Sequence, residues 1–434
     1  MVIKDKKKIM LVIFIAALLL RIIFIIGIGV VVKNPLLKED FEYGVIARSL
    51  IKTGRYSAPI LEVSGRGEPK KETHNYRPTG NQLPFYPLVL AMVYSISSNQ
   101  LSFWVVTFLQ AIISALTCIV IYLIGLKLFN RKAAMIAGII SVIYPLFLIH
   151  TARIVPETFF TFWLSLTALH LLLLKDVPSL KHQLISGILL GITLLNSNVI
   201  VPVIPFIGIW LFWLAGTWKE KVKRVLLVMA TAFLIVSPWV IRNYIVFKEF
   251  PLMKTTSGIN LCLGNNPRAT GTFFLPTGEP MEDLILTEAW YKGHALSETK
   301  QDKILYDEAM VYVKENPQHY ARLILKRFYY FTWFPPDNLL SKEGRLYKKL
   351  FKIPYGFILM SSAIGITLFL KRNSRDTFLL CAIILSVVAL YSIFIVGHVR
   401  YRMPIEPYMI IFSAYTINAI FEKTSAHYFK RGQE

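Results

Sequence analysis

Three carboxylates, Glu39, Asp40 and Glu42, crowd the start of LKEDFEYGVIARSLIKTGRYS, the stretch from Leu37 to Ser57 that follows an apolar run of membrane-spanning length. Acids in that position can cap the next helix and oppose its dipole. They can equally act as a general base where a substrate hydroxyl reaches the membrane surface. An amphipathic helix over 40–53 places Tyr43, Ile46, Ala47, Leu50 and Ile51 on one side, lets Arg48 and Lys52 snorkel, and stops at Gly54. At about 100° per residue Asp40 falls on the side of Tyr43 and Ala47, so its carboxylate faces the apolar surface, where an idle charge is costly.

Other charges gather at the same membrane face. HTARIVPE carries Arg153 and Glu157, PWVIRNY carries Arg242, and GHVRYRMP carries Arg400 and Arg402, all at the ends of apolar runs. Any one of them reads equally well as a snorkelling interfacial arginine. Together they suit a phosphate at headgroup level, because the guanidinium fork binds phosphate at two points. A lipid phosphate carrying a sugar fits this set. Arginines would neutralise the departing phosphate while one carboxylate takes the proton of the incoming hydroxyl. Phosphate leaves without a general acid, so the two-carboxylate arrangement of glycosidases is unnecessary. Arg21 stands apart in the middle of the first apolar run, where a cation needs a partner; it either orients helices or reaches a buried cavity. The eight histidines are scattered, with no HxxxH or CxxC spacing, so no metal site and no cofactor is expected.

These residues must be positioned by membrane helices. The chain has 434 residues, 55% hydrophobic and 17% charged, and a mean hydropathy of +0.52, a composition normal for a polytopic membrane protein. The net charge of +22 sits in short clusters between apolar runs, which is membrane topology rather than nucleic-acid binding. Cys118, Cys262 and Cys381 are far apart and form no disulfide framework. The first apolar run is too long for a signal peptide and lacks a small-residue cleavage site, so it reads as an anchor. Apolar segments at about 10–32, 101–126, 133–150, 157–174, 184–197, 199–215, 225–241, 353–370, 377–396 and 406–421 predict an all-α polytopic protein with about ten transmembrane helices. Between 184–197 and 199–215, Asn196 to Asn198 must form a tight outer turn.

The clusters KDKKK, KLFNRK, KDVPSLKH, KEKVKR, KRNSR and FEKTSAHYFKRG alternate with charge-poor connections, which puts both termini in the cytoplasm of a plasma (inner) membrane protein. Two extracytoplasmic loops remain, about 33–100 and about 242–352, both carrying interfacial helices. The predicted organisation is an N-terminal transmembrane module over 1–241, an extracytoplasmic loop domain over 242–352 and a C-terminal transmembrane module over 353–434. In the second loop DKILYDEAMVYVKE reads as an amphipathic helix, and Asn316 and Pro317 suit the N-cap and first position of the next, QHYARLILKRFYYFTWF.

The stretches EDFEYGVIARSLIKTGRYS, RPTGNQLPFYPLVLAMVY, GILLGITLL, SPWVIRNYIVFKEF, GINLCLGNNPRATG, YVKENPQHYARLILKRFYYF and RYRMPIEPYMIIFSAY run in an order that resembles the GT-C superfamily of membrane glycosyltransferases. The likeness is greatest to prokaryotic relatives of the dolichyl-phosphate-mannose protein mannosyltransferases and to the aminoarabinose lipid A transferases. That resemblance implies a GT-C-like fold and inverting transfer of a sugar from a polyprenyl-phosphate donor to a lipid, glycan or protein acceptor on the outer side of the bilayer. It assigns Asp40 as the base with Glu42 and Tyr43 beside it, and Glu157 as a second acid that positions hydroxyls. Arg77 in YRPTG becomes a phosphate ligand alongside Arg242, Arg400 and Arg402, with Arg153 on the same face. Two departures stand out: Thr79 replaces a second proline after Arg77, and LLNSNV replaces a Thr-basic-Pro segment, so Asn196 to Asn198 supply no positive charge.

Two other classes remain open. A secondary transporter or lipid flippase predicts paired repeats and charges near the bilayer midplane, and only Arg21 fits. A non-catalytic membrane protein of envelope assembly would tolerate the two departures, but it has no need of acids and arginines at apolar helix ends.

Overall fold

The computed structural model describes residues 2–31, 41–63, 69–97, 99–250, 253–277, 279–281 and 296–431. Glu39 and Asp40, the latter expected to be the base, lie outside the described residues.

A long first helix, α1 (Val2–Val31), is followed by the outer helix α2 (Phe41–Thr53). The expected stop is present: Gly54 has φ +68 and its N–H bonds the Leu50 carbonyl. A two-stranded antiparallel hairpin, β1 (Ser57–Val63) with β2 (Pro69–Pro78), comes next and pairs Ala58 with Arg77. It qualifies the all-α expectation. After α3 (Phe85–Ile96) the chain enters the bundle through α4 (Asn99–Leu128). The buried side of α2 faces α3 rather than lipid: Ile46 and Ala47 are buried, and the Tyr43 ring meets Tyr86 edge-on at 5.5 Å.

The apolar run at 133–150 is broken in two, α5 (Arg131–Ile143) and α6 (Pro145–Thr151), which meet at 45°. Pro145 has no N–H for the helix ladder, and Tyr144 before it is extended. Then follow α7 (Glu157–Leu174), α8 (Leu180–Asn196), a 3₁₀ turn (Asn198–Val203), α9 (Ile204–Trp213) and α10 (Trp218–Phe247). Small residues let these helices meet closely. Gly187 and Gly191 of α8 abut Thr231 and Ile235 of α10. The second outer loop holds α11 (Ser257–Gly264), α12 (Glu298–Glu315) and α13 (Pro317–Thr332). Pro317 takes the first helical position as expected, but the Asn316 amide donates back to the Tyr312 carbonyl instead of capping forward. Three helices close the chain: α14 (Lys342–Leu370), α15 (Ser374–Ile393) and α16 (Glu406–Arg431).

Every one of the ten apolar segments is helical, yet fewer meet the length and composition of a crossing. Among the described residues six helices do, Asp5–Gly27, Leu101–Leu128, Glu157–Leu174, Trp218–Phe247, Gly344–Leu370 and Ser374–Ile393, and the bent α5–α6 pair makes up to seven. Apolar side chains such as Leu19, Phe357 and Leu385 stay exposed on these helices, as lipid-facing positions do. The chain is thus a multi-pass membrane protein. The Asn196–Asn198 turn is present but recessed. Thr167 and Thr193 hydroxyls pair at 2.9 Å, which sets Asn196 near the level of Leu164, roughly 10 Å below Glu157 along α7. The short α8–α9 hairpin therefore stops under a gap that the taller α7 and α10 enclose.

Packing of α14 on α16 rests on Gly365, where an added Cβ would overlap the Phe412 carbonyl. Gly365→Ala should lower stability by roughly 1–3 kcal/mol, whereas Gly208→Ala, whose nearest neighbour is 3.9 Å away, should not. Thermal unfolding in detergent measures the difference, and equal midpoints would refute the close approach.

Candidate functional site

A cavity of about 2410 Å³ fills the gap above the recessed hairpin. Its outer end is lined by Glu42, Tyr43, Arg77, Arg153, Glu157 and Arg400, so six of the residues singled out in the sequence meet around one space. Apolar parts of its wall come from Leu190 and Leu194 of α8, Phe233 and Val236 of α10, and Leu346 and Leu350 of α14. Phe233 and Leu350 are 65% and 56% exposed.

Glu157 heads α7 and is 6% exposed. Its Oε1 lies 3.4 Å from Arg400 Nε, while Oε2 has no partner among the described residues. Arg400 Nη2 donates to the Tyr401 hydroxyl at 2.8 Å, and the guanidinium sits over the Tyr401 ring. That ring stacks in turn on Tyr391 at 4.9 Å. Tyr401 and Glu157 hold the Arg400 pKa above its usual value in spite of burial, so the group stays cationic. Tyr43 keeps its proton for the opposite reason: burial, then the charge of Glu157, raises it well above the ordinary range. His398 accepts the Arg400 backbone N–H through Nδ1. Burial and the cations Arg400, Arg153 and Arg402 press it down to about 3, so it is neutral and adds no charge.

Two arginines expected at a phosphate are elsewhere. Arg242 does not line the cavity; it donates to the carbonyls of Thr79 at 2.7 Å and Tyr56 at 2.6 Å and to Asn243 Oδ1 at 3.0 Å, beneath the rings of Tyr56, Trp239 and Phe247. Arg402 is buried behind the wall. It donates to the Trp333 carbonyl at 2.8 Å, stacks over Tyr355 at 3.8 Å, and lies 3.8 Å from Glu406. Both were expected to hold phosphate; in the structure Arg242 is turned to backbone carbonyls and Asn243, and Arg402 donates through Nη1 to backbone carbonyls while its Nε and Nη2 have no hydrogen-bond partner among the described residues.

Sequence reasoning missed Lys254, Gln82 and Glu298. Lys254 Nζ donates to Gln82 Oε1 at 3.0 Å, and the Gln82 amide donates to Glu42, a chain that links the second loop to α2 across the cavity rim. Glu298 at the head of α12 accepts the Gly80 N–H at 2.8 Å and the Thr255 hydroxyl, joining both outer loops. Asp302 one turn on accepts the N–H groups of Gly258 and Ile259 and so caps α11. Burial raises it to about 6 against those bonds. Nothing in the local sequence around Lys254 or Gln82 marks them, because their partners come from distant segments. Asn196 also lines the cavity, 6% exposed, and neither of its carboxamide atoms has a partner among the described residues. Among the described residues no three His, Cys, Asp or Glu side chains converge as a metal site.

Residues 77–241 match the dolichyl-phosphate-mannose-protein mannosyltransferase family. The fold is similar to that of solved archaeal oligosaccharyltransferase structures. One is the archaeal oligosaccharyltransferase AglB from Archaeoglobus fulgidus, in complex with an inhibitory peptide and a dolichol-phosphate (TM-score 0.58, 15% identity, 99% of this chain and 52% of that one). The same enzyme in its apo form gives a TM-score of 0.59 at 16% identity, over 98% and 52% of the two chains. ArnT from Cupriavidus metallidurans, bound to undecaprenyl phosphate, gives 0.42 at 13% identity, over 94% and 77%. The chain thus spans about half the length of the archaeal relatives. No curated protein matches it in sequence.

Lys254 is held at about 8 rather than the usual 10.5, by burial first and with Arg400 adding to it against the pull of Glu42. Between those values the unfolded chain keeps a proton that the folded protein has released, so the linked stability rises with pH across that window. Wild type should therefore gain on Lys254→Met in thermal midpoint as pH is raised from 8 to 10. Parallel curves would show that the amine is not depressed.

Proposed function

We propose that this GT-C-fold chain is a membrane glycosyltransferase that moves a sugar from a polyprenyl-phosphate donor to a hydroxyl on the outer side of the bilayer, with inversion. The observation that carries the reading is a cavity in which Glu42 and Arg77 of the first loop, Arg153 and Glu157 of the α6–α7 connection and Arg400 before α16 meet apolar side chains of α8, α10 and α14. A polyprenyl tail suits the apolar walls, and its phosphate suits the cationic end. The dolichol-phosphate in the archaeal structure of the same fold agrees with that class of ligand.

Arg400, with Arg153, Arg77 and Lys254 around the same space, would take the charge that develops on the phosphate. As the acceptor oxygen bonds to the anomeric carbon, the bond from that carbon to the phosphate oxygen breaks and its electron pair leaves with the phosphate. The acceptor proton passes to a carboxylate, which we assign to Asp40. Glu157 is already engaged by Arg400 through Oε1, and its second oxygen is left to orient a hydroxyl. We place the cavity on the extracytoplasmic face of an inner membrane, both termini in the cytoplasm, with about ten crossings once the short α8–α9 hairpin is included.

Purified protein in liposomes, supplied with radiolabelled polyprenyl-phosphate sugars and candidate acceptors, tests this. Wild type should release polyprenyl phosphate, and Asp40→Asn should lose at least about 10²-fold in rate while still binding donor. Arg400→Gln should weaken donor binding by roughly 10- to 100-fold. Full turnover by Asp40→Asn would remove it as base, and no transfer with any donor would sink the reading.

A further inference from the structure

Arg21 is fully buried in α1, and among the described residues none of its hydrogen-bond partners is a carboxylate, so neutral groups satisfy its charge. Nε donates to Ser114 Oγ at 2.7 Å; Nη1 donates to the carbonyls of Ala17 at 3.0 Å and Val142 at 3.2 Å; Nη2 donates to Cys118 Sγ at 3.2 Å and the Ser141 carbonyl at 3.4 Å. Five N–H groups thus meet five acceptors. Two of those acceptors are carbonyls in the last turn of α5. In a continuous helix the Ser141 carbonyl would receive the N–H of residue 145, but residue 145 is proline. A carbonyl left bare at that depth is costly, and a cation at a helix C-terminus is favourable. Gly138 makes the approach possible, since α1 comes so close that an added Cβ would meet Ile13 at 2.8 Å.

We infer that Arg21, with the Cys118 thiol that also donates to the Ser141 carbonyl at 3.3 Å, stands in for the missing N–H of Pro145 and thereby holds the 45° bend that turns α6 into the cavity. The consequence reaches the site directly. Leu148, Ile149 and His150 of α6 line the cavity, and the chain continues to Arg153 and Glu157. Arg21 touches none of the reacting groups in this reading; it is a positioning residue, and that role rests on the glycosyl-transfer proposal, whereas the capping of the bend does not.

The test is a double-mutant cycle on the full-length protein with Arg21→Met, Pro145→Ala and the pair, read by thermal midpoint and by affinity for undecaprenyl phosphate as the probe. Arg21→Met should lower the midpoint by several degrees. Adding Pro145→Ala should recover much of that loss, because the substituted alanine returns a backbone N–H to the Ser141 carbonyl. Affinity should stay about tenfold or more below wild type in the double variant, since the straightened helix withdraws Arg153. Recovery of stability without recovery of binding separates positioning from mere support of the fold. Additive midpoints would overturn the capping, and restored binding in the double variant would overturn the positioning role. If wild type does not bind the probe, the donor reading fails, and the midpoints still decide the bend.

Discussion

The first outer loop is tied to the helix bundle by the guanidinium of Arg242. From the top of α10 it bonds carbonyls on both sides of the β-hairpin, Tyr56 before it and Thr79 after it, and three aromatic rings enclose it. Hydrogen bonds to a charged donor contribute roughly 1.5–3 kcal/mol each, and these also close the ends of a loop whose ordering would otherwise be costly. Arg77, the strand residue two places before Thr79, reaches the cavity only because that anchor is fixed. Gly80, next in line, is then caught by Glu298, which holds Thr255 as well. Lys254 follows from the same join.

Beneath the loops the site is shaped by what must not happen inside a bilayer. Backbone groups cannot be left bare there, so the broken helix at Tyr144 and Pro145 persists with Arg21 over its exposed carbonyls. The short α8–α9 hairpin contributes by stopping early. It leaves a space between α7 and α10 with Glu157 and Arg400 at one end, Asn196 lower down and apolar side chains of α8, α10 and α14 along its walls. Arg400 and Glu157 face each other at that outer end with stacked tyrosines beside them, which limits rearrangement of either charge.

Class and order of elements were legible in the sequence. Runs of apolar residues separated by basic clusters leave few alternatives to a helical membrane bundle, and α2, α12 and α13 appear where periodicity and the Gly54 and Asn316–Pro317 signals put them. Gathering acids and arginines at one membrane face was also legible, because each lies at the end of an apolar run. What failed was the division of labour among identical side chains. Arg242, Arg400 and Arg402 all sit at helix ends in similar motifs, yet one clamps loops, one faces the cavity and one packs behind it.

Composition and charge pattern thus determined by themselves that the chain is a multi-pass membrane protein with acids and arginines at the ends of its apolar runs, since hydrophobic transfer acts residue by residue along the chain. Tertiary structure alone decided which of those charges are spent on backbone carbonyls and which are left facing a cavity. The reason is that a donor is claimed by whatever acceptor lies within about 3 Å of it. For Arg21, Arg242 and Lys254 the deciding acceptors, Ser114, Tyr56 and Gln82, lie more than 90 residues away.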